Sequence, residues 1–173
     1  EKMNRAPLTR VVVVDDSPSM RLLLEKMINA EHDMRVVGSA PDSLAARELI
    51  RQLQPDVVTL DIEMPGMDGL DFLERLMRLN PLPVLMISSR TEEGSEHTLR
   101  ALELGAVDVI CKQSLTDKGG LSAMAKEVTA KIRLAGSSAG QFKRLPPLQV
   151  VSTDASPFGS LQFDRRKIIF VGA

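Results

Sequence analysis

The residues in this 173-residue chain that could do chemistry recur at one kind of place, directly after short apolar runs. Asp15 and Asp16 follow the run at 11–14, Asp61 follows 56–60, Ser88 follows 84–87 and Lys112 follows 107–111. If those runs are strands of one parallel sheet, all five residues lie at its carboxyl edge, where open α/β folds place their ligand crevice. Three carboxylates brought within a few ångströms repel one another unless a hard cation sits among them. Magnesium suits such a set, because it takes oxygen ligands octahedrally and keeps several waters. A carboxylate is also a competent nucleophile toward phosphorus, and Asp61, after the central run, is the best placed. Lys112 would neutralise remaining charge and Ser88 would donate a hydrogen bond to a phosphoryl oxygen, so that positioning and electrostatics supply most of the rate. Any one of these residues is as readily a cap or turn residue. Their succession at four run ends is what points to a site.

The elements that must hold them follow from periodicity. Residues 11–14 form a continuous β-branched run that suits a strand covered on both faces. Ser17-Pro18 then offers an N-cap and a proline at the first helical position. Met20, Leu23, Leu24, Met27 and Ile28 recur at helical spacing. Further strands are predicted at 35–39, 56–60, 84–87 and 107–111. Helices are predicted at 42–53, through Leu70, Leu73, Leu76 and Met77, at 96–104 closed by Gly105, and at 121–134. Five strands alternating with five helices predict a flavodoxin-like, doubly wound parallel sheet in the order 2-1-3-4-5, with helices on both faces.

From Ala135 the pattern changes: Gly136-Ser-Ser-Ala-Gly140, Pro146-Pro147 and residues 154–159 carry no sustained periodicity. The expected organisation is a domain at 9–134, a linker at 135–163 and the opening strand of a second domain at 164–173.

Bulk composition narrows the function. With 43% hydrophobic and 26% charged residues the chain can build a core. A net charge of -1 and 3% aromatics, with no Trp or Tyr, argue against nucleic-acid binding. No apolar run approaches a membrane span, and no apolar leader is present, so membrane insertion is not expected. Cys111 is the only cysteine, which leaves no disulfide framework and fits a reduced, cytoplasmic setting.

Val12-Val-Val-Asp-Asp-Ser17, Leu60-Asp-Ile-Glu-Met-Pro-Gly-Met-Asp-Gly69, Val84-Leu-Met-Ile-Ser88 and Lys112 closely resemble the receiver domains of bacterial two-component response regulators. The resemblance implies that Asp61 accepts phosphate from a histidine kinase. It implies that Asp15, Asp16, Asp61 and the backbone carbonyl of Glu63 hold magnesium. Ser88 would be the hydroxyl that moves toward the phosphoryl group, and Lys112 its counter-ion.

Phe72-Leu-Glu-Arg-Leu-Met77 and Gly94-Ser-Glu-His-Thr-Leu-Arg-Ala-Leu-Glu-Leu-Gly-Ala106 resemble the chemotaxis protein-glutamate methylesterase family, CheB. That implies a kinase of the CheA type and methylated chemoreceptors as substrates for ester hydrolysis and glutamine deamidation. It also implies a C-terminal esterase domain beginning near Lys167-Ile-Ile-Phe-Val-Gly-Ala173, with its catalytic serine expected after Ala173. By the same resemblance the unphosphorylated receiver blocks the esterase, through a face built from the fourth helix, fifth strand and fifth helix. Two positions depart from the receiver pattern: Gln113 follows Lys112 where proline is usual, and Val109 stands where many receivers have a switching aromatic.

Other signals carry less. Ser138 lies in a G-x-S-x-G pattern, but a nucleophile elbow needs a strand before it, and a flexible linker is the expected reading. His32 and His97 are expected at the surface or in caps, without carboxylate partners, and Cys111 in the core. No phosphate-binding loop of the G-x-x-x-x-G-K-[ST] kind occurs. A receiver with a different output, transcriptional or protein-binding, is the alternative; no helix-turn-helix pattern follows. An aspartyl-phosphate phosphatase would need a second aspartate two residues after its nucleophile, and Asp15 is followed there by Ser17.

Overall fold

The computed structural model describes residues 7–89, 95–112 and 120–142. Strands and helices alternate along them: β1 Thr9–Val14, α1 Pro18–Asn29, β2 Met34–Ala40, α2 Ser43–Leu53, β3 Val57–Asp61, α3 Gly69–Leu79, β4 Val84–Ser88, α4 Glu96–Glu103, β5 Asp108–Cys111 and α5 Gly120–Phe142. The strands are all parallel, in the order β2-β1-β3-β4-β5. This is the doubly wound topology the alternation predicts, with the order reversing between β1 and β3.

Strand alternation divides the core in two. Val12, Val14, Val58 and Leu60 pack with α2 and α3 on one face of the sheet. Val11, Val13, Val57 and Leu85 pack with α1 and α5 on the other. Because β1 is covered on both sides, both parities are apolar, hence the unbroken valine run. Caps set the helix starts. Ser17 Oγ accepts from Met20 N at 3.3 Å, Asp42 Oδ1 from Ala45 N at 2.8 Å and Asp68 Oδ1 from Leu70 N at 3.0 Å.

The end of α5 corrects one expectation. The helix does not stop at 134 but runs to Phe142, so residues 135–142 belong to it and not to a linker. The buried stripe Met124, Val128, Ile132 continues through Ala135 and Ala139 at helical spacing. Gly136 lies close against β1: a Cβ there would come within 2.9 Å of Thr9 Cγ2, and the threonine side chain would have to shift. Ser137 and Ser138 donate their hydroxyls to the Leu134 carbonyl, at 2.6 and 3.3 Å. Small residues that read as linker composition are here a close-packed helix face. Ser138 in mid-helix also leaves no nucleophile elbow. The remainder of the predicted linker and the strand at 164–173 lie outside the described residues.

Candidate functional site

Register brings the predicted residues to one edge. Val14 pairs with Leu60, so the next residues, Asp15 and Asp61, leave neighbouring strands side by side. Asp61 pairs with Ile87, which sets Ser88 at the same edge on β4, and Ser88 in turn pairs with Cys111, just before Lys112. Lys112 Nζ lies 2.9 Å from Asp15 Oδ2 and 3.0 Å from Asp61 Oδ2. Both aspartates are 1% exposed and the lysine side chain 14%. Carboxylate oxygens of Asp15, Asp16 and Asp61 all lie within 4.8 Å of one another, Asp16 being exposed.

Backbone groups orient the two buried carboxylates. Ser17 N–H donates to Asp15 Oδ1 at 2.9 Å and Glu63 N–H to Asp61 Oδ1 at 3.1 Å. Arg21 fixes the Asp15 carbonyl at 2.7 Å. Burial pushes the Asp61 carboxyl up to about 6, against the hydrogen bond and charge of Lys112 and the Glu63 N–H; the neighbouring Asp15 charge adds to the rise. Burial also works against the Lys112 ammonium, but Asp15 and Asp61 outweigh it and hold its pKa above the ordinary lysine value. An all-oxygen set with two buried carboxylates and a surplus of negative charge suits a hard metal ion better than a soft one.

The structure therefore brings Asp15, Asp16, Asp61 and Lys112 together, and places Ser88, buried, on the adjoining strand end. Glu63 is present through its N–H, a role its sequence context does not announce, and its side chain accepts the Ser89 hydroxyl. Gly69, the last residue of the Leu60–Gly69 motif, is held by a contact that the motif does not state. A Cβ there would lie 2.1 Å from the Asp61 carbonyl oxygen and 2.8 Å from Ile62 Cα, and Gly69 N–H donates to Ile62 O at 2.9 Å. The start of α3 thus closes back onto the backbone at the end of Asp61's own strand; only the absence of a side chain permits it.

Some secondary expectations change. His32 does have carboxylate neighbours: its ring and the Glu31 and Asp33 carboxylates come within 4.8 Å. Both acids are half-buried, His32 itself being exposed, and both are engaged by Arg133. Cys111 is half-buried rather than fully inside. His97 lies in the first turn of α4 after its Ser95 cap, as expected of a capping-region residue. Val109 is partly buried against the α2–α3 side of the core; Gln113 lies outside the described residues.

The family profile described as the response regulator receiver domain matches residues 11–124. Among curated proteins, the protein-glutamate methylesterase/protein-glutamine glutaminase of Nitrosomonas europaea is 50% identical over 169 residues, covering 94% of this chain and 46% of its own length. That of Ralstonia nicotianae is 57% identical over 133 residues, 77% of this chain and 35% of its own. The chain spans about half the length, or less, of these curated relatives. Among solved structures, the response regulator domain of Thermotoga maritima CheB is 45% identical with a TM-score of 0.69, covering 75% of this chain and 97% of that one. The receiver domain of NarL from Mycobacterium tuberculosis is 32% identical with a TM-score of 0.60, covering 72% and 98%. Among the described residues no helix is long and apolar enough to cross a membrane.

Proposed function

Because the chain belongs to the response regulator receiver domain family, we propose that Asp61 takes a phosphoryl group from the phosphohistidine of a CheA-type kinase. An Asp61 oxygen attacks phosphorus, the P–N bond breaks, and the imidazole leaves. The observation that carries this reading is the buried Asp61 carboxylate, held with Asp15 by one lysine at 2.9 and 3.0 Å beside a third carboxylate. Asp15, Asp16, Asp61 and the Glu63 carbonyl would hold magnesium, which when bound neutralises charge on the phosphoryl oxygens. Lys112 pairs with the phosphoryl group as a counter-ion, and the Ser88 hydroxyl donates to another of its oxygens.

In this reading the phosphorylated receiver controls a C-terminal protein-glutamate methylesterase that acts on methylated chemoreceptors in the cytoplasm, and that also deamidates glutamine. Identity of 50% to such a protein across nearly the whole chain supports it. The contact that restrains the esterase is the face of α4, β5 and α5, where Leu99, Leu102 and Leu121 are exposed. A small phosphodonor such as acetyl phosphate, with magnesium, labels the chain, and Asp61→Asn abolishes labelling. Undiminished label in that variant refutes the assignment.

A further inference from the structure

A second cation stands at the acidic edge, and the phosphoacceptor chemistry gives it no task. Arg21 is half-buried, four residues into α1. Its N–H donates to the Ser17 carbonyl at 3.0 Å, and its side chain reaches back over the start of the helix, the direction helical side chains take. There Nη1 donates to the Asp15 carbonyl at 2.7 Å and, more weakly, to the Asp16 carbonyl at 3.4 Å. Two consecutive peptide oxygens thus share one charged donor, and such bonds are stronger than neutral ones. The helix that carries Arg21 is itself anchored, because Leu24 and Ile28 on its next turns are buried against the sheet.

The two carboxylates after β1 are held unequally. Asp15 is buried and fixed from three sides: its N–H donates to the Ala40 carbonyl at 3.1 Å, Oδ1 accepts the Ser17 N–H at 2.9 Å, and Oδ2 faces Lys112 at 2.9 Å. Asp16 is exposed and lies two residues past the end of β1 at Val14, where sheet pairing no longer sets the backbone. Even so, its carboxylate comes within 4.8 Å of those of Asp15 and Asp61. We propose that Arg21 is a positioning residue: by tying the Asp15 and Asp16 carbonyls it fixes the turn that aims the Asp16 carboxylate at the magnesium site. This rests on the reading of Asp15, Asp16 and Asp61 as that site. A ligand held in place before the ion arrives binds it more tightly than one that must be ordered on binding. Charge alone has the opposite sign. A guanidinium beside a divalent cation repels it, so on Coulombic grounds removing Arg21 would tighten magnesium. Positioning requires that removing it weaken magnesium, and the direction of the change separates the two.

The test is a magnesium chloride titration of the 173-residue chain without phosphodonor, followed by the backbone amide NMR signals of Asp61 and Glu63. In Arg21→Ala the midpoint should rise about tenfold, the loss typical when a group that orients a metal ligand is removed. Labelling by acetyl phosphate should need more magnesium by the same factor. A merely structural Arg21 would lower the melting temperature and leave the midpoint where it was. A midpoint equal to the parent's or below it, in either readout, therefore overturns the proposal. Arg21→Met keeps the aliphatic stem and is read in its place if Arg21→Ala fails to fold. A parent chain with no saturable response to magnesium sinks the metal site and this proposal together. A responsive parent with an unshifted variant sinks the proposal alone.

Discussion

Two places in this molecule set one cation against two carboxylates, and they behave in opposite ways. Lys112 stands between Asp15 and Asp61 at 2.9 and 3.0 Å, with both acids 1% exposed. Arg133 stands between Glu31 and Asp33 at 3.0 and 2.9 Å, its side chain 47% exposed. The Arg133 hydrogen bond holds Asp33 below the usual carboxylate range. Burial, by contrast, lifts Asp61 to about 6 despite an equally close cation. Contact geometry is alike; solvent makes the difference. At the surface, water already satisfies both charges and the pair adds little. Inside, one ammonium cannot repay the desolvation of two carboxylates, and a charge deficit is left standing. That surplus of negative charge favours a cation there.

The comparison can be broken hardest at its buried cation. Lys112→Met removes the cation that pairs with both Asp15 and Asp61 and should cost about 3 kcal/mol at pH 8 in urea unfolding. Added magnesium should recover much of that loss; no recovery would argue against a cation site at the three aspartates. Gly69→Ala comes next, because its Cβ meets backbone rather than a yielding side chain. A loss of about 2–3 kcal/mol with weakened phosphoryl labelling is expected; a variant as stable as the parent would mean that the α3 start yields freely.

The third variant has the reverse sign. Asp61 titrates higher folded than unfolded, so its contribution is fully present below about 4 and is lost as pH rises through about 6. At pH 8 without metal the ionised carboxylate is a burden. Asp61→Asn should therefore stabilise the metal-free chain by about 1–3 kcal/mol at pH 8, with the gain shrinking as pH falls through 6 toward 4. A gain that does not vary with pH would place its cause elsewhere. Smallest is Arg133→Ala at the surface trio, which should change stability by less than about 1 kcal/mol, and by still less in about 0.5 M salt, where surface charges are screened. Asp33, lowered in the folded state, gives stability that is present above its unfolded pKa and lost as pH falls, so this effect should fade in acid.

How legible the site was depended on what kind of constraint each residue obeys. Asp15, Asp61, Ser88 and Lys112 could be read directly, because a polar residue closing an apolar run has little other reason to recur at four strand ends. Gly69 could be read only as a turn, since its true constraint is a backbone passing behind Asp61, a contact between segments that no local pattern records. The Glu63 N–H is likewise invisible, because every residue but proline has one. The tail of α5 misled for the same reason: Gly136, Ser137 and Ser138 have the composition of a linker, yet Ala135, Gly136 and Ala139 form a face small enough to lie against Thr9 and the pole of the sheet.

By itself the sequence determined the alternation of five strands and five helices, the parallel sheet that follows from it, and the types of residue gathered at the sheet's carboxyl edge. Those depend on periodicity and on chain connectivity, which are local. Only the tertiary structure decided that Asp15 and Asp61 share one lysine, that burial lifts Asp61 while its surface counterpart Asp33 falls, and that α5 continues past 134. These depend on distance and on exclusion of water between segments remote in sequence, quantities that a run of residue types does not carry.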